Sequence, residues 1–281
     1  VALRALSGLG DVAVANSGPF FLPDVYSEDL GPLPNFTALA QQPRIVGCIL
    51  KATQGVSYAP NWFTVNWPRL RAAGGGRYGS SWFRGCYHYG VPSASGAAQA
   101  DFVLAAIQRA GGWNADGDMP PAWDLEDGSN KLWTSVASKQ QVCDISSQFA
   151  ERIKSRLGRA PILYTGATWR GYGITSDCGF SQMWSSHLDK MAPYGWPNAR
   201  YALWQYAGDG KFYNPATAVY GFPLAIPGWG ATDMNVVMDG GRMAGSISAV
   251  RSVITGSSPL AAVLLLGAAA ALAYLYVRSV T

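Results

Sequence analysis

Histidine is nearly absent from this chain: His88 and His187 are the only two in 281 residues. That argues against a histidine-rich metal centre, which draws several imidazoles together. Cysteine is sparse as well. Cys48, Cys86, Cys143 and Cys178 form no C-x-x-C pair and no zinc spacing. Cys48 and Cys86 sit inside apolar runs, where a thiol behaves as a small hydrophobe. The expectation is mostly reduced, buried thiols, with a disulfide left open. Charge is also low: charged residues make up 14% and the net charge is +4. No Lys/Arg block of the nucleic-acid kind occurs, so no nucleic-acid partner is expected. The mild excess favours anionic surfaces such as walls or membranes. No metal and no cofactor is expected either.

Aromatic rings are plentiful, with 11 Trp, 14 Tyr and 10 Phe. Rings of this kind stack on the apolar faces of sugars, although a large aromatic core would use them equally. The most informative local feature is Asp124-Leu125-Glu126, at the end of the apolar run 121–126. On a strand, residues i and i+2 point the same way, with Cα atoms roughly 6.6–7 Å apart. Two like charges held so close resist double ionisation, so one carboxyl keeps its proton to higher pH. Cleavage of a glycosidic bond needs such a pair. A solvated strand end would carry the same three residues, so the remainder of the chain has to decide.

Short apolar runs recur at 20–24, 45–51, 83–88, 121–126, 161–165, 182–187, 201–206 and 232–237. Eight such runs match a closed (β/α)8 barrel. Segments 62–73, 97–110 and 135–157 read as helices between them, each stopped by glycine. In such barrels the chemistry lies at the C-terminal ends of the strands. The candidates delivered there are Asp24, Lys51, His88, Asp124 with Glu126, Tyr164, His187, Gln205 and Asp233. The predicted fold is α/β, an irregular (β/α)8 TIM-like barrel with a C-terminal apolar, transmembrane helix. Connections after the fifth strand are shorter and Gly-rich, so the irregularity is expected there.

That helix is predicted from residues 260–277, an uncharged run of 18 residues followed by Arg278. As a helix it spans about 27 Å, close to the bilayer hydrocarbon thickness of about 30 Å. Tyr274 and Tyr276 stand near one end like an interfacial belt. A helix buried in a protein assembly would read the same way. Expected boundaries are an N-terminal extension at 1–19, the barrel at 20–238, a linker at 239–259 and the apolar helix at 260–278.

In order along the chain stand Asp24-Val25, Leu50-Lys-Ala-Thr-Gln-Gly55 with Tyr58, Gly85-Cys-Tyr-His-Tyr89 and Pro121-Ala-Trp-Asp-Leu-Glu126. Leu163-Tyr-Thr-Gly166, Leu203-Trp-Gln-Tyr206 with Asp209-Gly210, and Asp233-Met-Asn-Val236 follow. In these pieces the sequence resembles glycoside hydrolase family 25, the Chalaropsis-type lysozymes that cut peptidoglycan as N-acetylmuramidases. The resemblance covers roughly residues 20–238. It implies a flattened β/α barrel with an acidic groove, hydrolysing the bond between N-acetylmuramic acid and N-acetylglucosamine. Glu126 would be the general acid, with Asp124 raising its pKa and either helping to stabilise the oxocarbenium-like state or orienting the substrate's acetamido group. Asp24 and Asp233 would complete the carboxylate cluster. Lys51, Tyr58, His88, Tyr164 and Gln205 would bind substrate, and Trp184 or Trp204 would offer a stacking surface. The chain departs from the family pattern at Tyr26, which intervenes before Ser27, and at Gln54, where Glu is common. It also departs at Ser185-Ser186-His187 and in the added stretch 74–81.

The N-terminal 19 residues do not read as an export signal, because Asp11 and several glycines interrupt the apolar stretch. A wall-cutting domain anchored by its tail would then face the wrong side of the membrane. Arrival on a virus particle resolves that conflict. The expected partners are therefore peptidoglycan strands, plus membrane or virion components through the apolar helix. A wall-binding or structural virion protein that keeps the barrel without turnover is the alternative. A weaker one is an amidase or peptidase acting on the stem peptide.

Overall fold

The computed structural model describes residues 20–238 apart from 28–29, 32, 80, 128–131, 167–168, 170–171, 175–176, 187–200, 213–221, 225 and 231. Its strands are β1 (Phe21–Val25), β2 (Gly47–Gln54), β3 (Phe83–Tyr89), β4 (Ala122–Leu125) and β5 (Ile162–Thr165). They continue with β6 (Gln182–Ser186), β7 (Tyr201–Gly208), β8 (Lys211–Phe212) and β9 (Asp233–Val237). Strands β1 to β7 pair in sequence order, each parallel to the next. The ring closes through β9, which is antiparallel to both β7 and β1. The closed barrel thus has eight strands, and β8 is a short antiparallel extension of β7.

The antiparallel closing strand is where the barrel departs from the all-parallel ring that (β/α)8 implies, in the stretch after β5 where irregularity is expected. Period-two alternation marks a strand without stating its direction, so the run at 232–237 could not reveal the reversal. Asp209-Gly210 shows how the chain begins to turn back after β7. Both residues have positive φ, 51° and 65°, as a tight hairpin turn requires.

Helices α1 (Phe36–Ala40), α2 (Asn61–Gly74), α3 (Gly96–Arg109) and α4 (Lys139–Leu157) follow β1, β2, β3 and β4. The start of α4 is set by a capping box in which Ser138 and Gln141 satisfy each other's backbone N–H groups. Its end falls at Gly158, in the left-handed conformation that glycine adopts without strain. Helices α3 and α4 pack closely at Gly96, where an added Cβ would stand 1.8 Å from the Ile145 carbonyl oxygen.

Alternation along the strands divides the core into two layers. Leu22, Ile49, Ala122, Ile162 and Leu203 fill the barrel interior. Phe21, Leu50, Trp123, Leu163 and Met234 face outward against the helices. On β3, Arg84 points into that outer layer, 2% exposed, and forks onto the fully buried Asp118 at 2.5 and 2.7 Å. Two further N–H groups reach the carbonyls of Trp67 and Gly112, and the guanidinium lies 3.8 Å from the Trp67 ring centre.

Cysteine use divides between the two states. Cys48 and Cys86 are buried free thiols, and burial pushes both well above the usual range. Cys143 and Cys178 form a disulfide between α4 and the segment before β6, a link that the sequence reading leaves open. Their separation of 35 residues carries no local signal; packing of that segment on α4, with Ser147 donating to the Cys178 carbonyl, brings them together. Among the described residues, no helix is long and apolar enough to cross a membrane. The apolar run at 260–277, the linker and the N-terminal extension lie outside the described residues.

Candidate active site

On β4, Ala122 belongs to the barrel interior and Trp123 to the outer layer. The same alternation turns Asp124 inward, with Glu126 following one residue beyond the strand. Both side chains line a cavity of about 120 Å³ together with Asp24, Asp233, Tyr164, Trp184 and Tyr87.

The floor is a connected hydrogen-bond network. Gln205 donates through Nε2 to Asp24 Oδ2 at 3.2 Å and to Asp233 Oδ2 at 2.9 Å. Its Oε1 accepts from the Tyr164 hydroxyl at 2.8 Å. Asn235 Nδ2 donates to Asp24 Oδ2 at 2.7 Å and to the Leu22 carbonyl, and its Oδ1 accepts from Trp184 Nε1 at 2.6 Å. From the β7–β8 turn, the Asp209 N–H reaches Asp233 Oδ1 at 2.8 Å. Neutral amides therefore hold the two outer aspartates side by side.

The inner pair is held differently. Asp124 is 5% exposed, and its Oδ1 is buried without a hydrogen-bond partner. Burial, then the charge of Glu126, pushes the Asp124 carboxyl well above its usual range, with Lys51 opposing. Burial also raises Glu126, against the neighbouring Tyr164 side chain and the charge of Lys51. Tyr164, raised chiefly by burial and then by the neighbouring carboxylates, stays a neutral donor. Such a pair retains a proton where ordinary carboxylates have lost theirs, which is the requirement for an acid that protonates a leaving oxygen.

Lys51 is half-buried on β2 beside this pair, with Tyr58 exposed at the rim. Two predicted residues are elsewhere. His88 faces outward, wholly buried against the Trp123 and Phe149 rings, 5.6 Å from each. Trp204 packs in the outer layer against Tyr206 and Phe222. In each run the inward positions are the neighbours, Tyr87 on β3 and Leu203 and Gln205 on β7. Tyr87 and Asn235 were missed, and alternation counted from Asp124 and Asp233 is the signal that finds them. His187 lies outside the described residues. Among the described residues, no group of three or more His, Cys, Asp or Glu side chains could hold a metal ion.

His88 has a structural setting of its own. Gln99 Oε1 already accepts from the Val91 N–H while Nε2 donates to two carbonyls. His88 Nε2 must therefore donate to that oxygen, and Nδ1 accepts from Thr53 Oγ1 at 2.7 Å. Burial, against the Gln99 hydrogen bond and with help from Lys51, lowers its pKa from 6.5 to about 4. The unfolded chain thus takes up this proton first. Stability from the neutral ring is present above the unfolded value and lost as pH falls toward 4, by about 3 kcal/mol. Urea midpoints between pH 7 and pH 4 should fall more steeply for the native chain than for His88→Gln. Parallel slopes would count against a buried neutral imidazole.

The chain matches the family model described as glycosyl hydrolases family 25 over residues 30–214. It is 31% identical over 183 residues to the N,O-diacetylmuramidase of Chalaropsis sp, covering 59% of this chain and 82% of that protein. It is 30% identical over 170 residues to lysozyme M1 of Streptomyces globisporus, covering 58% of this chain and 54% of that one. The crystal structure of the bacterial lysozyme from Streptomyces coelicolor superimposes with a TM-score of 0.62 at 23% identity, over 83% of this chain and 99% of that one. The muramidase from Trichobolus zukalii gives 0.61 at 24% identity, over 85% and 100%. At these identities the two superpositions speak for the fold.

Proposed function

This chain belongs to glycosyl hydrolase family 25 and is a glycosidase by that membership, and we propose that its substrate is the peptidoglycan glycan, cut as a muramidase cuts it. The observation that carries the reading is the inward pair Asp124 and Glu126, both raised by burial, at a mouth shared with Asp24 and Asp233. In this account Glu126, less buried than Asp124, gives its proton to the glycosidic oxygen as the bond breaks. Asp124, deeper and with Oδ1 unpartnered, receives the acetamido N–H or faces the positive charge that develops on the sugar. Tyr164 and Gln205 keep the surrounding groups oriented. Trp184, anchored through Nε1, presents its ring to the cavity.

The uncharged run at 260–277 and the wall substrate together support a finer reading, a virion-associated or membrane-anchored lysin that acts on the host wall during entry. Purified peptidoglycan should lose turbidity and gain reducing ends when treated with the full chain. A chain lacking residues 259–281 should cleave equally well and lose its association with membranes or particles. A truncated chain still retained there would count against the anchor, and binding to the wall without product would favour a non-catalytic module.

A further inference from the structure

Two of the positions at which this chain departs from the family pattern, Tyr26 and Gln54, meet at one side chain. The Lys51 ammonium donates to Gln54 Oε1 at 3.1 Å and lies 5.7 Å from the ring centre of Tyr26. Tyr89 and Tyr58 add rings at 4.9 and 5.8 Å. Alternation on β2 turns Lys51 inward with Ile49, and its register partner on β3 is Tyr87, a residue of the cavity wall. Aromatic faces and an amide oxygen place no formal negative charge beside the ammonium. A glutamate at 54 would add one.

We propose that Lys51 is the tuning residue of the acid pair: gripped by three tyrosines and Gln54, its charge sets the pH at which Asp124 and Glu126 release their proton. The proposal rests on reading that pair as the acid of a glycosidase. The pair faces Asp24 on β1, Asp233 on β9, the hydroxyls of Tyr87 and Tyr89 on β3 and of Tyr164 on β5, with Asp127 adjoining in sequence. Tyr89, pushed up to about 12 chiefly by burial, remains neutral, as does Tyr164. Burial favours protonation of both members, and the two outer aspartates favour protonation of Asp124. Lys51 acts the other way on both members. A cation beside a carboxyl stabilises the ionised form, so Lys51 keeps a strongly raised pair able to give its proton up.

The test is a 13C NMR titration of the Asp124 and Glu126 carboxyls in the full chain, run beside the pH–rate profile on peptidoglycan. Lys51→Met and Gln54→Glu should each move the titration upward by roughly one pH unit, and the alkaline limb of the profile with it. Lys51→Arg restores the charge and should return the titration toward its native position. Gln54→Glu keeps the lysine and carries the test if Lys51→Met does not fold. Titrations of Lys51→Met and Gln54→Glu that superimpose on the native one would overturn the proposal even in a fully active enzyme. Shifted titrations in a chain that cleaves no glycan would support the tuning role and sink the muramidase reading instead.

Discussion

Glu126→Gln should lower glycan cleavage by roughly 10²–10⁴-fold, the range that a positioned general acid contributes. Gln matches Glu in size and shape, so the barrel should fold unchanged. What it lacks is a transferable proton. The loss should therefore fall on kcat, with KM little altered, because an interaction made mainly at the transition state is removed. Single-turnover rates on peptidoglycan and a thermal melt of the same sample would separate chemistry from folding. A folded Glu126→Gln protein with native activity would remove Glu126 from the mechanism. The neighbouring acid, Asp124, would then be the residue to examine.

Asp118→Ala should be the most destabilising of the substitutions considered, by about 3–5 kcal/mol, because it strands a buried charge. Arg84 is 2% exposed and Asp118 fully buried, and the carboxylate also accepts from the Asn114 N–H at 2.7 Å and the Tyr78 hydroxyl at 2.5 Å. That one carboxylate ties β3 to the loop before β4, the strand that carries the acid pair. Exchanging both partners for apolar residues, Arg84→Met with Asp118→Leu, should recover only part of the loss. The Asn114 N–H and the Tyr78 hydroxyl would still lose the carboxylate, and the Trp67 carbonyl would lose the guanidinium. Urea midpoints of the single and double variants measure the effect. A single variant within about 1 kcal/mol of native would show that water reaches the site and that the pair contributes little.

The eight strands were legible because each is a short apolar run bounded by turn residues, a pattern set by burial on both faces. Their closure was legible only in part. Nothing in the run at 232–237 distinguishes a parallel from an antiparallel strand, and only the pairing of β9 with β1 and β7 reveals it. The carboxylates were legible because an acidic residue ending an apolar run is conspicuous. Taking the last polar residue of each run misplaced His88, whose ring packs in the outer layer against Trp123 and Phe149. It also passed over Tyr87 and Asn235, which look like ordinary strand residues until their parity is counted from Asp124 and Asp233. Gln205, read as a substrate contact, is 2% exposed and bonded to two aspartates, a role that depends on three strands at once. The Cys143–Cys178 link had no local signature for the same reason.

The central claim is that this family 25 glycosidase cuts the peptidoglycan glycan on the muramic acid side. Digesting purified peptidoglycan with the full chain, reducing the products with borohydride and identifying the reduced sugar tests it directly. The account predicts reduced N-acetylmuramic acid. Reduced N-acetylglucosamine, or free amines without new reducing ends, would contradict it.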